Sequence, residues 1–124
     1  MQKGVNVNGE DGFPPLVAAA QMGHLSIVRL LLDNGADIDA TALHSVTALM
    51  MASGGGYCEI VKALLDHGAD VNYSYELTGT ALVVAATKGY TEVELLLNHG
   101  ANIESKTLMG ESALLRALMF NHPR

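Results

Sequence analysis

The sequence lacks tryptophan, contains one cysteine, and only 5% of its residues are aromatic. A single cysteine cannot form a disulfide within the chain, and this favours a reducing compartment, the cytoplasm or the nucleus. Hydrophobic residues nevertheless make up 49% of the chain, so alanine and leucine must fill the core in place of aromatic rings. Small side chains of this kind favour closely packed helices over a β-sandwich or a β-barrel.

Positive charge and long apolar runs are also scarce. Seven Lys and Arg residues stand against thirteen Asp and Glu, which gives a net charge of −6. Nucleic acids and anionic membrane surfaces are bound through Lys and Arg, so neither is an expected partner. No run of about 18 apolar residues is present, and no membrane span is therefore predicted.

The most prominent feature of the sequence is a repeated motif. A leucine-rich segment that ends in Gly-Ala-Asp or Gly-Ala-Asn occurs at 30–37, 63–70 and 95–102. Its glycines, Gly35, Gly68 and Gly100, are 33 and 32 residues apart. A period of this size predicts a stacked array, because one unit is too small to bury its own apolar face.

Helix boundaries within each unit are marked by capping residues. Thr47, Thr80 and Ser112 precede the first helices, where a side-chain oxygen can accept from free backbone N–H groups. Pro15 suits a first helical position. Glycines follow both helices in places that favour a left-handed conformation. The predicted first helices are 16–22, 49–53 and 82–88, the second helices are 24–32, 58–65 and 91–97, and the triplets 37–39, 70–72 and 102–104 predict projecting hairpins.

These residues resemble the ankyrin repeat. The stretches 14–20, 23–28 and 35–39 carry the resemblance, as do Thr47-Ala48-Leu49 and Thr80-Ala81-Leu82, with Ala where the family usually has Pro. The resemblance covers essentially the whole chain. It implies an all-α ankyrin-repeat solenoid of helix-turn-helix units with β-hairpin loops, in one domain over 1–124. The predicted divisions are a hairpin remnant at 1–8, repeats at about 9–41, 42–74 and 75–106, and a partial repeat at 107–124.

The pattern departs from regularity inside the second and third repeats. Ile27-Val28 and Ile60-Val61 have only Val93 as their counterpart in the third repeat. Losing one residue from a helix rotates the later part of that helix by roughly 100°. We expect the adjustment at 89–91, with a tightened turn and a late helix start. The run Gly54-Gly55-Gly56 predicts a shortened helix and a looser second repeat.

The C-terminal end departs from the pattern as well. Residues 112–120 predict a first helix, and no second helix comes after them. Terminal repeats normally have a polar outer face, whereas this segment is rich in leucine. We therefore expect either a slice of a longer array or self-association through the uncapped helix 112–120.

No catalytic constellation is found. His67 and His99 occupy matching places and invite a metal hypothesis, but both also suit a helix C-terminus. Cys58 could be a reactive thiol, but it stands where Leu25 does and favours a packed role. We predict a non-enzymatic protein without catalytic residues, cofactor or metal. The pattern around Asn72 matches the one that asparaginyl hydroxylases modify in ankyrin proteins, yet the repeat itself nearly supplies that pattern.

The positions that fail to repeat are the turn tips and the ends of the first helices. By resemblance to ankyrin proteins, these positions line a concave face that binds partners. Apolar tip residues suit a protein-binding patch, or alternatively pack against neighbouring hairpins or further repeats. The predicted partner-binding residues are Glu10, Asp11, Phe13, Gln21, Met22, Leu43, His44, Val46, Glu76, Leu77, Thr87, Lys88, Leu108, Met109 and Glu111.

These expectations lead to two candidate functions. The first is a protein–protein interaction scaffold whose concave face binds a segment that is partly apolar and partly basic. The second is an excised regulatory or targeting segment of a larger ankyrin-containing enzyme, channel or effector. A capped C-terminal end would favour the first function, and the uncapped helix favours the second.

Overall fold

The computed structural model describes residues 13–43, 46–75, 79–86 and 90–102. Its elements are α1 (Pro15–Met22), α2 (Leu25–Asp33), β1 (Thr41–Ala42), β2 (Val46–Thr47), α3 (Ala48–Gly55), α4 (Cys58–Asp66), α5 (Ala81–Ala85) and α6 (Tyr90–Asn98). Strands β1 and β2 form a short antiparallel hairpin. Paired helices followed by a projecting hairpin confirm the predicted all-α repeat architecture.

The helices form two layers. The first helices α1, α3 and α5 pack side by side, and the second helices α2, α4 and α6 form the layer behind them. The repeating residues Leu16, Leu49 and Leu82 are at most 2% exposed, and they fill the space between the layers. Because each helix pair covers its neighbour, the core is continuous along the array.

Backbone caps end the helices at the expected glycines. Gly23 and Gly56 follow the first helices with φ of 77° and 74°, and Gly35, Gly68 and Gly100 close the second helices with positive φ as well. Thr47 caps α3 as predicted, because its side chain accepts from the Met50 amide at 3.2 Å. The same prediction is wrong for Thr80, which makes no capping bond to α5; its Oγ1 is buried without a hydrogen-bond partner.

The glycine run does not shorten the helix that contains it. Helix α3 continues to Gly55 and is eight residues long, as is α1, so the predicted end at Ser53 is wrong. The ring of Tyr57 explains why glycines stand here. A Cβ on Gly23 would lie 2.8 Å from Tyr57 Cε1, and one on Gly55 would lie 2.7 Å from Tyr57 Cδ2. The absence of side chains at Gly23 and Gly55 therefore leaves room for the Tyr57 ring between the first two repeats.

Helix α6 does not start late, although the third repeat is one residue short; the predicted tightened turn includes Gly89, which lies outside the described residues. Helix α6 is already formed at Tyr90 and has nine residues, the same length as α2 and α4. Tyr90 precedes Gly100 by ten residues, as Leu25 precedes Gly35. The predicted late start is therefore wrong. The first helix of this repeat, α5, ends at Ala85 instead of residue 88.

Polar side chains join successive repeats below the hairpins. The Asp70 amide donates to Asp39 Oδ1 at 2.8 Å, and the Asn102 amide donates to Asn72 Oδ1 at 2.8 Å. The Asn72 side chain also donates to the Gly100 carbonyl at 3.0 Å. The triplets 37–39 and 70–72 thus form turns that link the repeats, and the hairpin strands of the second repeat come after the first triplet, at Thr41–Ala42 and Val46–Thr47.

Candidate functional site

A groove of about 320 Å³ runs across the first helices of all three repeats. Its floor is α3, and its sides come from α1, α5 and the hairpin strand β2. The groove joins two of the predicted partner-binding residues, Gln21 and Val46, to the glycines of the 54–56 run and to three residues that the sequence did not single out. The lining residues are Gln21, Val46, Met50, Met51, Gly54, Gly55 and Val84.

The glycine pair creates this groove. Met50 and Met51 lie one helical turn before Gly54 and Gly55, so the four residues share one side of α3. The glycines leave the second turn without side chains, whereas α1 carries Gln21 and Met22 at the equivalent positions. The run at 54–56 was therefore the signal for this site, although it had predicted a shortened helix and a looser second repeat.

The groove is suited to apolar groups. None of its seven lining residues is charged, and Gln21 is the one polar side chain among them. Met50 is 4% exposed and Met51 is half-buried. Methionine side chains are flexible and polarisable, so they adapt to irregular apolar surfaces.

Three more predicted residues are exposed but do not line the groove. Phe13 precedes α1, Met22 ends α1, and Leu43 follows β1 in the hairpin; their exposed fractions are 39%, 64% and 71%. Leu43 has φ of 55°, a left-handed conformation that is uncommon for a leucine. Gly79, which stands at the position of Val46 in the next repeat, also has a positive φ, of 76°. The first hairpin thus holds an apolar side chain in solvent on a strained backbone.

The paired histidines contact helix ends. Nδ1 of His67 lies 2.9 Å from the Ala63 carbonyl oxygen, and Nδ1 of His99 lies 2.9 Å from that of Leu95. Nε2 of His99 lies 3.7 Å from Asp66 Oδ1 in the preceding repeat. These contacts support the helix-end interpretation. Over the described ranges, no group of three or more His, Cys, Asp or Glu residues is placed to hold a metal ion.

Cys58 meets a buried carboxylate between α4 and α6. Its Sγ donates to Glu92 Oε2 at 3.1 Å, and Glu92 is 5% exposed. Burial raises the pKa of the Cys58 thiol above its ordinary value of 9.0, and the hydrogen bond to Glu92 raises that pKa further. A thiol held in its protonated form is a poor nucleophile, and this favours the packed role for Cys58 over the reactive one.

Sequence reasoning missed Glu92. Counted forward from Gly89 it matches Glu59, which is exposed in α4. Counted back from Gly100 it matches Ile60, which is 2% exposed. Because α6 keeps its distance from Gly100, the second alignment is the one that the fold adopts, and the carboxylate turns inward.

Comparison with known families agrees with this architecture. A family model described as ankyrin repeats, in three copies, matches residues 1–75 and again 49–124. The two matches together span the chain. The protein belongs to the ankyrin repeat family. Ankyrin repeats are generally protein–protein interaction modules, and the family is generally non-enzymatic.

A curated relative of this ankyrin repeat protein is the mouse ankyrin repeat and SAM domain-containing protein 6. The two are 46% identical over 50 residues, which make up 40% of this chain and 6% of the mouse protein. The chain therefore corresponds to a small part of that relative. In the part of the chain that the structure describes, no helix is both long enough and apolar enough to cross a membrane.

The remaining predicted partner-binding residues of the ankyrin repeat protein lie outside the described residues. The predicted cap Ser112 and the predicted helix 112–120 lie outside them as well. The partner-binding residues in this group are Glu10, Asp11, His44, Glu76, Leu77, Thr87, Lys88, Leu108, Met109 and Glu111.

Proposed function

We propose that this chain is a non-enzymatic interaction scaffold, and that its groove receives an apolar side chain of a protein partner. The observation that carries the proposal is the groove itself, which spans α1, α3 and α5 and has an uncharged lining. In this proposal the groove is part of the concave face that the resemblance predicted. The proposed partner-binding residues are the groove lining together with the predicted residues of the hairpin tips and of the ends of the first helices.

The chemistry of the lining restricts the anchor. Moving a charged side chain into an uncharged groove costs several kcal/mol of hydration that nothing in the lining replaces. A large apolar side chain loses no such hydration, and its burial contributes roughly 1.5–3 kcal/mol. Leucine, methionine and phenylalanine are therefore the expected anchors.

The net charge restricts the residues around that anchor. A chain with a net charge of −6 attracts basic segments and repels acidic ones. The expected partner segment thus combines one apolar anchor with flanking Lys or Arg. Leu43 adds a second apolar contact at the hairpin, since it is held exposed on a strained backbone.

Affinity capture from cell extract with quantitative mass spectrometry tests this proposal. Met51→Glu places a charge in the groove, and Gln21→Trp fills the groove from an exposed position on α1. Ser26→Glu, on exposed α2 surface outside the groove lining, adds the same charge as Met51→Glu and is the matched control. Circular dichroism melts establish that all three variants are folded.

The expected result is a common set of proteins that both groove variants lose and the control retains. If both groove variants capture the same proteins as the wild type, the groove is not the binding site. Loss with Met51→Glu but not with Gln21→Trp, together with a lower melting temperature, would indicate damage to the fold instead.

A second candidate is an excised regulatory or targeting segment of a larger ankyrin-containing enzyme, channel or effector. It is favoured by the match to 6% of a relative whose name includes a further domain. Immunoblotting of native extract tests it, because a band well above 13.1 kDa supports the larger protein. Self-association through helix 112–120 and a cytoplasmic or nuclear location remain proposals, to be tested by solution mass and by cell fractionation.

A further inference from the structure

The second helices reveal an apolar face that is covered in every repeat except the first. Two positions define this front face: Ile27, Ile60 and Glu92 share one, and Leu30, Ala63 and Leu95 share the other. In α4, Ile60 and Ala63 are 2% and 8% exposed, and α4 packs on α2. In α2, Ile27 and Leu30 are 46% and 55% exposed. The surface that α4 buries against its neighbour is therefore open on α2.

The opposite face of the same helices shows the reverse trend. At roughly 100° per residue, position 32 lies about 170° around the helix from the midpoint of positions 27 and 30. This rear face carries Leu65 in α4, which is 6% exposed, and Leu97 in α6, which is 37% exposed. Thus α2 exposes its front face and α6 exposes its rear face. These are the two faces that meet where α2 packs on α4 and where α4 packs on α6.

From this arrangement we propose that two copies of the chain stack head to tail, with the rear face of α6 in one copy on the front face of α2 in the other. The contact repeats one that the fold already makes twice. Leu97 of one copy meets Ile27 and Leu30 of the next, in place of the solvent that now covers these side chains. Because the two surfaces differ, the interface is heterologous and leaves one unused half at each end of the assembly.

Charge on the outer side of these helices agrees with this order. Arg29, Lys62 and Glu94 occupy the same position in α2, α4 and α6, and all three are exposed. Stacked helices lie 8–10 Å apart, so residues at one position are neighbours from helix to helix. Head-to-tail stacking places Glu94 of one copy beside Arg29 of the next, which pairs opposite charges.

This proposal is independent of the groove, which lies on the first helices, and of the segment 112–120, for which the sequence predicts a helix. Sedimentation velocity of the full chain across a dilution series tests it. The weight-average mass is expected to rise above 13.1 kDa with concentration, toward multiples of the chain. Ile27→Glu/Leu30→Glu removes the front half of the contact, and Leu97→Glu removes the rear half. Ser74→Glu, which adds a negative charge at an exposed residue outside the helices and the groove lining, is the control.

Mixing the two variants gives the decisive result. Each variant alone is expected to weaken association roughly tenfold or more and to sediment as a monomer, whereas the control associates like the wild type. An equimolar mixture is expected to form a 1:1 dimer, since one intact front meets one intact rear. Both variants are exposed-site changes whose folding is checked by circular dichroism.

Three outcomes would overturn the proposal. One is a wild-type chain that stays monomeric at every concentration. Another is a Leu97→Glu variant that dimerises by itself, which would mean that two α2 faces pair. The third is loss of association with Leu115→Glu/Leu118→Glu while both stacking variants associate normally; this would assign the interface to the segment 112–120.

Discussion

The second helices of repeats two and three have the same length and close at equivalent glycines, but α4 buries Ile60 where α6 buries Glu92. The third repeat is one residue shorter, and the shortening falls before α6. Helix α6 keeps its core contacts, with Leu96 fully buried at the position of Leu64. The deletion therefore conserves packing and introduces a buried carboxylate, which Cys58 of the preceding repeat satisfies in part.

The largest expected effect comes from placing the residue of α6 in α4, by the substitution Ile60→Glu. Ile60→Glu buries a carboxylate between α4 and α2, where Leu25 stands at the position that Cys58 has in α4. An uncompensated buried charge costs about 3–5 kcal/mol, so we expect most of the folding free energy to be lost. Urea unfolding measures the change. A midpoint equal to that of the wild type would mean that the front face of α4 is not packed on α2.

The reverse exchange is expected to stabilise the array. Glu92→Ile restores the residue of repeat two, removes a buried carboxylate, and should raise the free energy of unfolding by about 1–3 kcal/mol. Glu92→Gln keeps the side-chain shape without the charge and serves as control, with a smaller gain. Thermal melts of the three proteins are compared. A lower melting temperature for Glu92→Ile would show that the carboxylate is needed for the stack.

Two residues at different positions of the repeat offer a further comparison, of backbone conformation. Leu43 and Gly79 both have positive φ, but this conformation is unfavourable only for the leucine. Leu43→Gly should stabilise by up to about 1 kcal/mol, while Gly79→Ala should destabilise by about 1 kcal/mol or more. Chemical denaturation at equilibrium measures both. Equal effects of the same sign would contradict the expected difference between Leu43 and Gly79.

The smallest expected effect concerns the pH dependence of the Cys58 thiol. Its pKa is raised in the folded protein, mainly by burial and then by Glu92. Because the folded-state pKa is raised, the thiol ionises more readily in the unfolded chain. The stability that comes from keeping the thiol protonated is complete below pH 9.0 and is lost as the pH rises through the folded-state pKa. Cys58→Ala should therefore flatten the decline of stability in alkaline solution. Melts over that range, compared with the wild type, measure the slope.

Much of the fold could be predicted from local patterns. The glycine period placed the repeats, because left-handed helix ends select glycine whatever surrounds them. Gly23, Gly35, Gly56, Gly68 and Gly100 all have the expected positive φ. The cap at Thr47 was predictable for the same reason, since its bond to Met50 spans three residues. Thr80 has the same local sequence signal, but it makes no such bond.

The candidate site was less accessible to sequence reasoning. Gln21 and Val46 were predicted because they fail to repeat, and they do line the groove. Met50, Met51 and Val84 were missed, because their position on α3 and α5 resembles that of core residues. They line the groove because Gly54 and Gly55 have no side chains to fill it. Whether such a gap forms a groove depends on which helices lie beside α3, and the sequence does not show this.

The sequence by itself determined the repeat period, the order of paired helices and the glycine helix ends. These features arise from backbone preferences and from apolar spacing, which act over a few residues. Tertiary structure decided where the missing residue was absorbed, and hence that Glu92 is buried against Cys58. It also decided that α3 extends through its glycines around the ring of Tyr57. Both outcomes depend on contacts between repeats, since packing against a neighbour outweighs the local preference of one segment.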